Sequence, residues 1–200
     1  MNKKLGTFAA AVNLLAVIGF AIDMVIGTNF WNYFTSLFIA FSFVIMICTF
    51  AHYGGEASRA AGFSAIAFSA MYALCNLTVY FIQLTTVRNS ALTNEAMALL
   101  DFRQFGLIFN LDMLGYCLMS ISTFLIGFTI EVRTRSDRWL KWLLMLHGVF
   151  AIGCFIMPML GLFGPDTQGN DLIGILILEF WCIYFAPIGI LSILHFSKKA

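Results

Sequence analysis

Three carboxylates, Asp23, Asp112 and Glu179, fall inside stretches apolar enough to cross a membrane. A charged side chain at the bilayer centre costs about 2.5–3.5 kcal/mol even on the lenient insertion scale, so acids placed there usually line a cavity, a pathway or a proton-handling site. A buried carboxyl can hold a proton or bind a cation. Two of differing acidity can share general acid and base work. Polar side chains gather around these acids by helical spacing. Ser69, Tyr72, Asn76, Tyr80 and Gln83 stand at offsets of 0, 3, 7, 11 and 14, one face of an α-helix. Asp112, Tyr116, Ser120 and Thr123 share a face further on, while Asn13, Ala16, Gly19, Asp23 and Gly27 form a small-residue seam that permits close helix approach.

These faces must point into a bundle, because lipid offers polar groups no hydrogen-bond partner. The candidate ligand-binding residues are therefore Asp112, Glu179, Asp23, Gln83, Tyr80, Asn76 and Tyr116, with Arg88 and Arg103 at the mouth of the pocket. Each also has a plain structural reading as a hydrogen bond between neighbouring helices, which averages well under 1 kcal/mol in membranes. That reading suits Asn76, Ser69 and Thr123. A carboxyl is a costly way to obtain one such bond, which sets Asp112 and Glu179 apart, whereas Asp23 is near enough to a helix end to snorkel.

The elements that would position them are six apolar runs of about 20 residues, the length that spans a hydrocarbon core. They cover roughly 6–27, 31–51, 60–87, 105–130, 139–162 and 172–196, and the expected fold is an all-α, polytopic bundle of six transmembrane helices forming a single domain over residues 1–200. Short connections favour antiparallel neighbours. The longest, from Arg88 to Gln104, is expected to hold a short amphipathic turn starting near Thr93. Nine of the eleven lysines and arginines fall on one side if the N-terminus is cytoplasmic, and only Arg88 and Arg103 are left outside. Both termini are then inside, and the three acids lie in the outer half of the bilayer, Asp112 about 12 Å and Asp23 about 7 Å deep by helical rise. Trp31 and Tyr33 mark the outer interface, Trp139 and Trp142 the inner one.

Composition supports this class. Hydrophobic residues make up 61% of the chain, charged residues 10%, and mean hydropathy is +0.92, against about 25% charged residues in a soluble domain. A net charge of +1 argues against a nucleic-acid partner. The start Met1-Asn2-Lys3-Lys4 resembles the n-region of a signal peptide, but Asp23 interrupts the run that follows and no small-x-small site succeeds it, so we read a first transmembrane helix. Five cysteines lie in apolar runs without CxxC or Cys/His spacing, so neither a metal site nor a disulfide framework is expected. His147 is a candidate proton relay or haem ligand. His52 and His195 fall near helix ends, so bis-histidine haem ligation is not expected and the plain reading of His147 is a packed side chain. No cofactor is expected.

Pro158 and Pro187 fall within the fifth and sixth runs, where Pro187 could bend its helix near Glu179, and residues 164–171 read as an outer turn. The basic segment from Arg133 to Lys141 reads most simply as a topology determinant, a reading preferred over contact with anionic lipid head groups.

Three functions from different classes fit. The leading one is a small transporter, or the membrane-embedded binding component of one, for a small polar or cationic solute, with proton coupling through the acids. The second is an intramembrane acid–base enzyme acting on a lipid or isoprenoid. The third is a non-catalytic sensor, immunity or assembly subunit that docks a partner membrane subunit or a second copy of itself. The expected setting is a bacterial cytoplasmic membrane.

Overall fold

Residues 1–27, 29–89, 91–163 and 170–197 are described by a computed structural model, in which 85% of the described residues are helical and none is in a strand. The helices are α1 (Asn2–Ile26), α2 (Asn29–Tyr53), α3 (Arg59–Leu84), α4 (Asn94–Leu100), α5 (Leu107–Gly127), α6 (Arg135–His147), α7 (Phe150–Met159) and α8 (Asn170–Ser197). Six segments are long and apolar enough to cross a membrane, α6 and α7 counting together as one. Their apolar side chains face outward on most sides, which fits a bundle whose solvent is lipid and whose backbone polar groups bond within each helix.

The six segments alternate in direction. One end of the bundle gathers both ends of the described chain. There the Asn2 amide bonds His52 at 2.9 Å, Phe196 packs on Phe50 with ring centroids 4.4 Å apart, and His195 meets Asp137 at 2.8 Å. We call this the terminal end. The opposite, loop end carries α4, the start of α2 and α5, and the finish of α1 and α3. Neighbours around the bundle run α1, α2, α3, α5, then α6 with α7. The ring closes where α6 and α1 both pack on α8. Between α7 and α8 the contact is aromatic: Phe150 lies 6.2 Å from Phe180 and 5.6 Å from Tyr184.

Local sequence explains the boundaries. α1 stops at Gly27, whose φ of 78° is left-handed and whose N–H bonds the Asp23 carbonyl. The turn anticipated near Thr93 is α4, with the Thr93 hydroxyl accepting from the Ala96 N–H at 3.3 Å. The fifth apolar run differs from a single helix over 139–162. It starts at Arg135 because Thr134 and Asp137 form a reciprocal capping box, and it breaks at Gly148–Val149 into i→i+3 bonds. Gly148 stands at that break because α5 crosses it closely; a β-carbon there would lie 2.8 Å from Cβ of Phe124. Pro187 sits inside an uninterrupted α8, and Pro158 in the last turn of α7. The turn expected at 164–171 falls largely outside the described residues.

The core is aromatic and aliphatic, with Phe43 edge-on to Tyr72 at 5.2 Å and Phe185 and Met46 fully buried beside them. Small residues Ala9, Ala10 and Ala16 of α1 are buried, and between them Asn13 donates to the Ile39 carbonyl at 3.1 Å and the Ser42 hydroxyl at 2.9 Å. This bond ties α1 to α2 by a polar group that has no water to compete for it.

Candidate functional site

The polar stripe of α3 is buried along its whole length, from Ser69 to Gln83, because it faces α5 and α2 rather than the outside of the bundle. Opposite it, on the second turn of α5, Asp112 is 3% exposed. Its Oδ1 accepts from the Asn76 amide at 2.8 Å and its Oδ2 from the Tyr80 hydroxyl at 3.2 Å. With Asp112 ionised, Tyr80 commits its single proton to it, and the 3.1 Å contact with the Tyr116 hydroxyl is then a bond donated by Tyr116. The result is a directed chain, Tyr116 to Tyr80 to Asp112. The ion pairs of the described residues all lie elsewhere, so Asp112 is held by neutral donors alone. The α3 and α5 backbones approach closely at Gly115, where the Asn76 Oδ1 occupies the space of a β-carbon and has no hydrogen-bond partner.

Gln83 belongs to a different structure. Its Nε2 donates to the Leu100 carbonyl at 2.7 Å and its Oε1 accepts from the Phe102 N–H at 3.1 Å, so its amide pins the segment after α4 against the end of α3. The next residues form a clamp. Asp101, 4% exposed, accepts from the backbone N–H of Arg103 and from its guanidinium through Nε at 3.2 Å and Nη2 at 2.9 Å. Burial pushes the Asp101 carboxyl up, but the Arg103 bonds outweigh it and hold the group below the usual carboxylate range.

Beside this clamp a cleft of about 260 Å³ opens at the loop end, between the start of α2, the end of α3 and the pinned segment. Tyr33 and Gln83 line it together with Arg88 and Arg103. Tyr33 stacks on Tyr80 with centroids 5.8 Å apart, so one ring pair links the cleft to the partner of Asp112.

The other candidates are not gathered here. Asp23 is half-buried three residues from the end of α1, and Glu179 lies on α8, about 14 Å from its start by helical rise. All three acids occupy the loop-end half of the bundle, but among the described residues no hydrogen bond joins Asp112 to Asp23 or Glu179. The Glu179 Oε1 is buried without a hydrogen-bond partner.

His147, 1% exposed, is fully engaged. The Trp181 indole can only donate, and it does so to Nε2 at 2.9 Å. Nδ1 therefore carries the proton and donates to the Thr123 hydroxyl at 2.8 Å, which in turn donates to the Ser120 carbonyl. The ring is a neutral tie between α5, α6 and α8, bonded to side chains rather than to a carbonyl, and a proton could enter it only by displacing Trp181. Among the described residues no three metal-ligating side chains cluster.

Sequence reasoning took Tyr33 only as an interface marker and passed over Asp101, Gly115 and Trp181. The Asp-x-Arg spacing of 101 and 103 was a local signal for the clamp. Nothing local marks the other three, since each acts on a helix distant in sequence.

The fold and site together define a six-segment helical bundle with one buried carboxyl, Asp112, held by neutral donors near a cleft that carries Arg88, Arg103 and Asp101. The chain matches no protein-family model, no characterised protein and no solved structure.

Proposed function

We propose that the chain is an integral membrane protein of a bacterial cytoplasmic membrane, with both termini cytoplasmic and the loop end outside. Its role in this reading is that of a small transporter, or the membrane-embedded binding component of one. The bias of lysine and arginine toward the terminal end supports the orientation. The observation that carries the function is Asp112, a carboxyl sealed in the bundle and held by neutral donors only. Such a group is free to exchange a proton for the cationic or polar part of a solute, with Tyr80 and Tyr116 adjusting their hydroxyls as it does so.

The experiment is thermal melting of the detergent-purified protein across polar and cationic solutes and pH, for wild type, Asp112→Asn and Glu179→Gln. A solute that binds only the folded state raises the melting temperature by mass action. The expected result is a solute-specific rise in wild type that Asp112→Asn abolishes. No rise with any solute, together with an Asp112→Asn protein that melts like wild type, would sink the reading.

A second reading, a non-catalytic subunit of a membrane complex, draws support from the same cluster. Asp112 is satisfied within the bundle, and the Tyr33–Tyr80 stack stands beside it as a closed ring pair. It expects no solute effect and co-purification of a partner. The lipid-directed enzyme requires two carboxyls acting together, and no contact between Asp112 and Glu179 favours it.

A further inference from the structure

The cleft at the loop end has a charge and a construction of its own. Two guanidiniums stand on its walls with one carboxylate, Asp101, between them in the charge count. That carboxylate is already occupied by the Nε and Nη2 of Arg103, leaving the remaining guanidinium donors of that residue uncommitted. Arg88 has no carboxylate partner among the described residues and rests over the Phe30 ring, 5.0 Å from its centroid. Phe30 and Asn29 open α2, so the positive end of that helix dipole also faces the cleft. At the end of α3, the Phe81 and Ile82 carbonyls are bonded by the N–H groups of Thr85 and Val87.

The donors are also pre-positioned. Gln83 pins the segment that carries Arg103, Asp101 fixes its side chain, and the Phe30 ring supports Arg88. The two guanidiniums reach the cleft from different elements, Arg88 just past the end of α3 and Arg103 in the clamp. A tetrahedral oxyanion can accept from donors out of one plane, whereas a carboxylate accepts only near the plane of its two oxygens. The volume is just below the usual range for small-molecule sites, about 300–1,000 Å³, and suits a head group better than a large ligand.

We propose that the cleft between α2, α3 and the Asp101–Arg103 clamp is a phosphate-binding site, with Arg88 and Arg103 as its ligands. The phosphate belongs either to a free solute or to a phospholipid head group lying at the end of the bundle. The site goes beyond the solute reading of Asp112 and does not depend on it.

The test uses the full-length protein in a non-ionic detergent at constant ionic strength. Binding is followed by melting temperature with inorganic phosphate, a short-chain phosphatidylglycerol and acetate as probes. Wild type is expected to bind phosphate or the short-chain lipid at least tenfold more tightly than Arg88→Gln does, with Arg88→Lys in between because it keeps charge but not the fork. Binding of inorganic phosphate identifies a solute site; binding of the lipid alone identifies a head-group site. Arg103→Gln also loosens the clamp, so Arg88→Gln, at an exposed position on the cleft wall, is the decisive variant. Equal binding by wild type and Arg88→Gln, no binding of either phosphate probe, or acetate binding as tightly as phosphate would each overturn the proposal. Asp112→Asn is expected to keep the phosphate response, so failure of the Asp112 reading and failure of this one give different results.

Discussion

Asp112 is held by bonds that each depend on a neighbour being in one place. Asn76 must present its amide nitrogen, and it can do so only because residue 115 lacks a side chain. Gly115→Ala is therefore expected to push Asn76 off Asp112 and to destabilise the protein by about 1–3 kcal/mol, the usual cost of overpacking a filled interior. Gly174→Ala is the matched control. A β-carbon there meets nothing within 4 Å, so that variant should melt at or slightly above wild type. Equal losses in the two variants, measured by thermal melting, would remove the close-approach argument. His147 shows the same logic with the opposite functional weight. Its two ring nitrogens are both satisfied, by Thr123 and Trp181, so its burial is explained by structure alone.

The segment between α3 and α5 is held by two devices of different chemistry. Gln83 bonds backbone groups at Leu100 and Phe102 and carries no charge, whereas the Asp101–Arg103 clamp requires an ionised carboxyl. Because the Asp101 carboxyl is held below its ordinary value near 3.9 in the folded protein, its contribution is complete above about pH 4. It is lost as the pH falls through the lowered folded value. Limited proteolysis between residues 85 and 106 should accordingly rise steeply below pH 4 in wild type. Asp101→Asn should already be cleaved faster at pH 7, with a flatter acid response. Cleavage of wild type that is indifferent to pH from 6 to 3 would show that the clamp does not hold the segment.

Across the whole bundle, the six segments close into a ring through α6 and α8, and one carboxylate serves both the closure and a helix start. Asp137 accepts from the backbone N–H and hydroxyl of Thr134 at the head of α6 and bonds His195 of α8 at 2.8 Å. Thr134→Ala removes half of the cap and is expected to cost about 1 kcal/mol. Asp137→Ala removes the cap and the link together and is expected to cost about 2–4 kcal/mol, since it strips a buried charged acceptor from several donors. Chemical or thermal unfolding of the two variants compares the costs directly; equal values would mean that the α6–α8 contact through His195 contributes nothing to closing the ring.

How much of this was legible beforehand follows from the range of each interaction. Six apolar runs, the all-helical class and the inward stripes of α3 and α5 are set by hydrophobic length and by the 3.6-residue period, which are properties of neighbouring residues. The short helix after Thr93 was visible for the same reason. Which members of those stripes meet was not. Gln83 shares a face with Asn76 and Tyr80, yet it turns to backbone groups of the Leu100–Phe102 segment, and Asp112 meets α3 alone rather than Glu179. The sequence by itself determined the number of long apolar helices and the faces they turn inward, because periodicity is local. Only the tertiary structure decided the partners, because which helix stands opposite depends on close approaches such as Gly115 on Asn76 and Gly148 on Phe124, made between residues far apart in the chain.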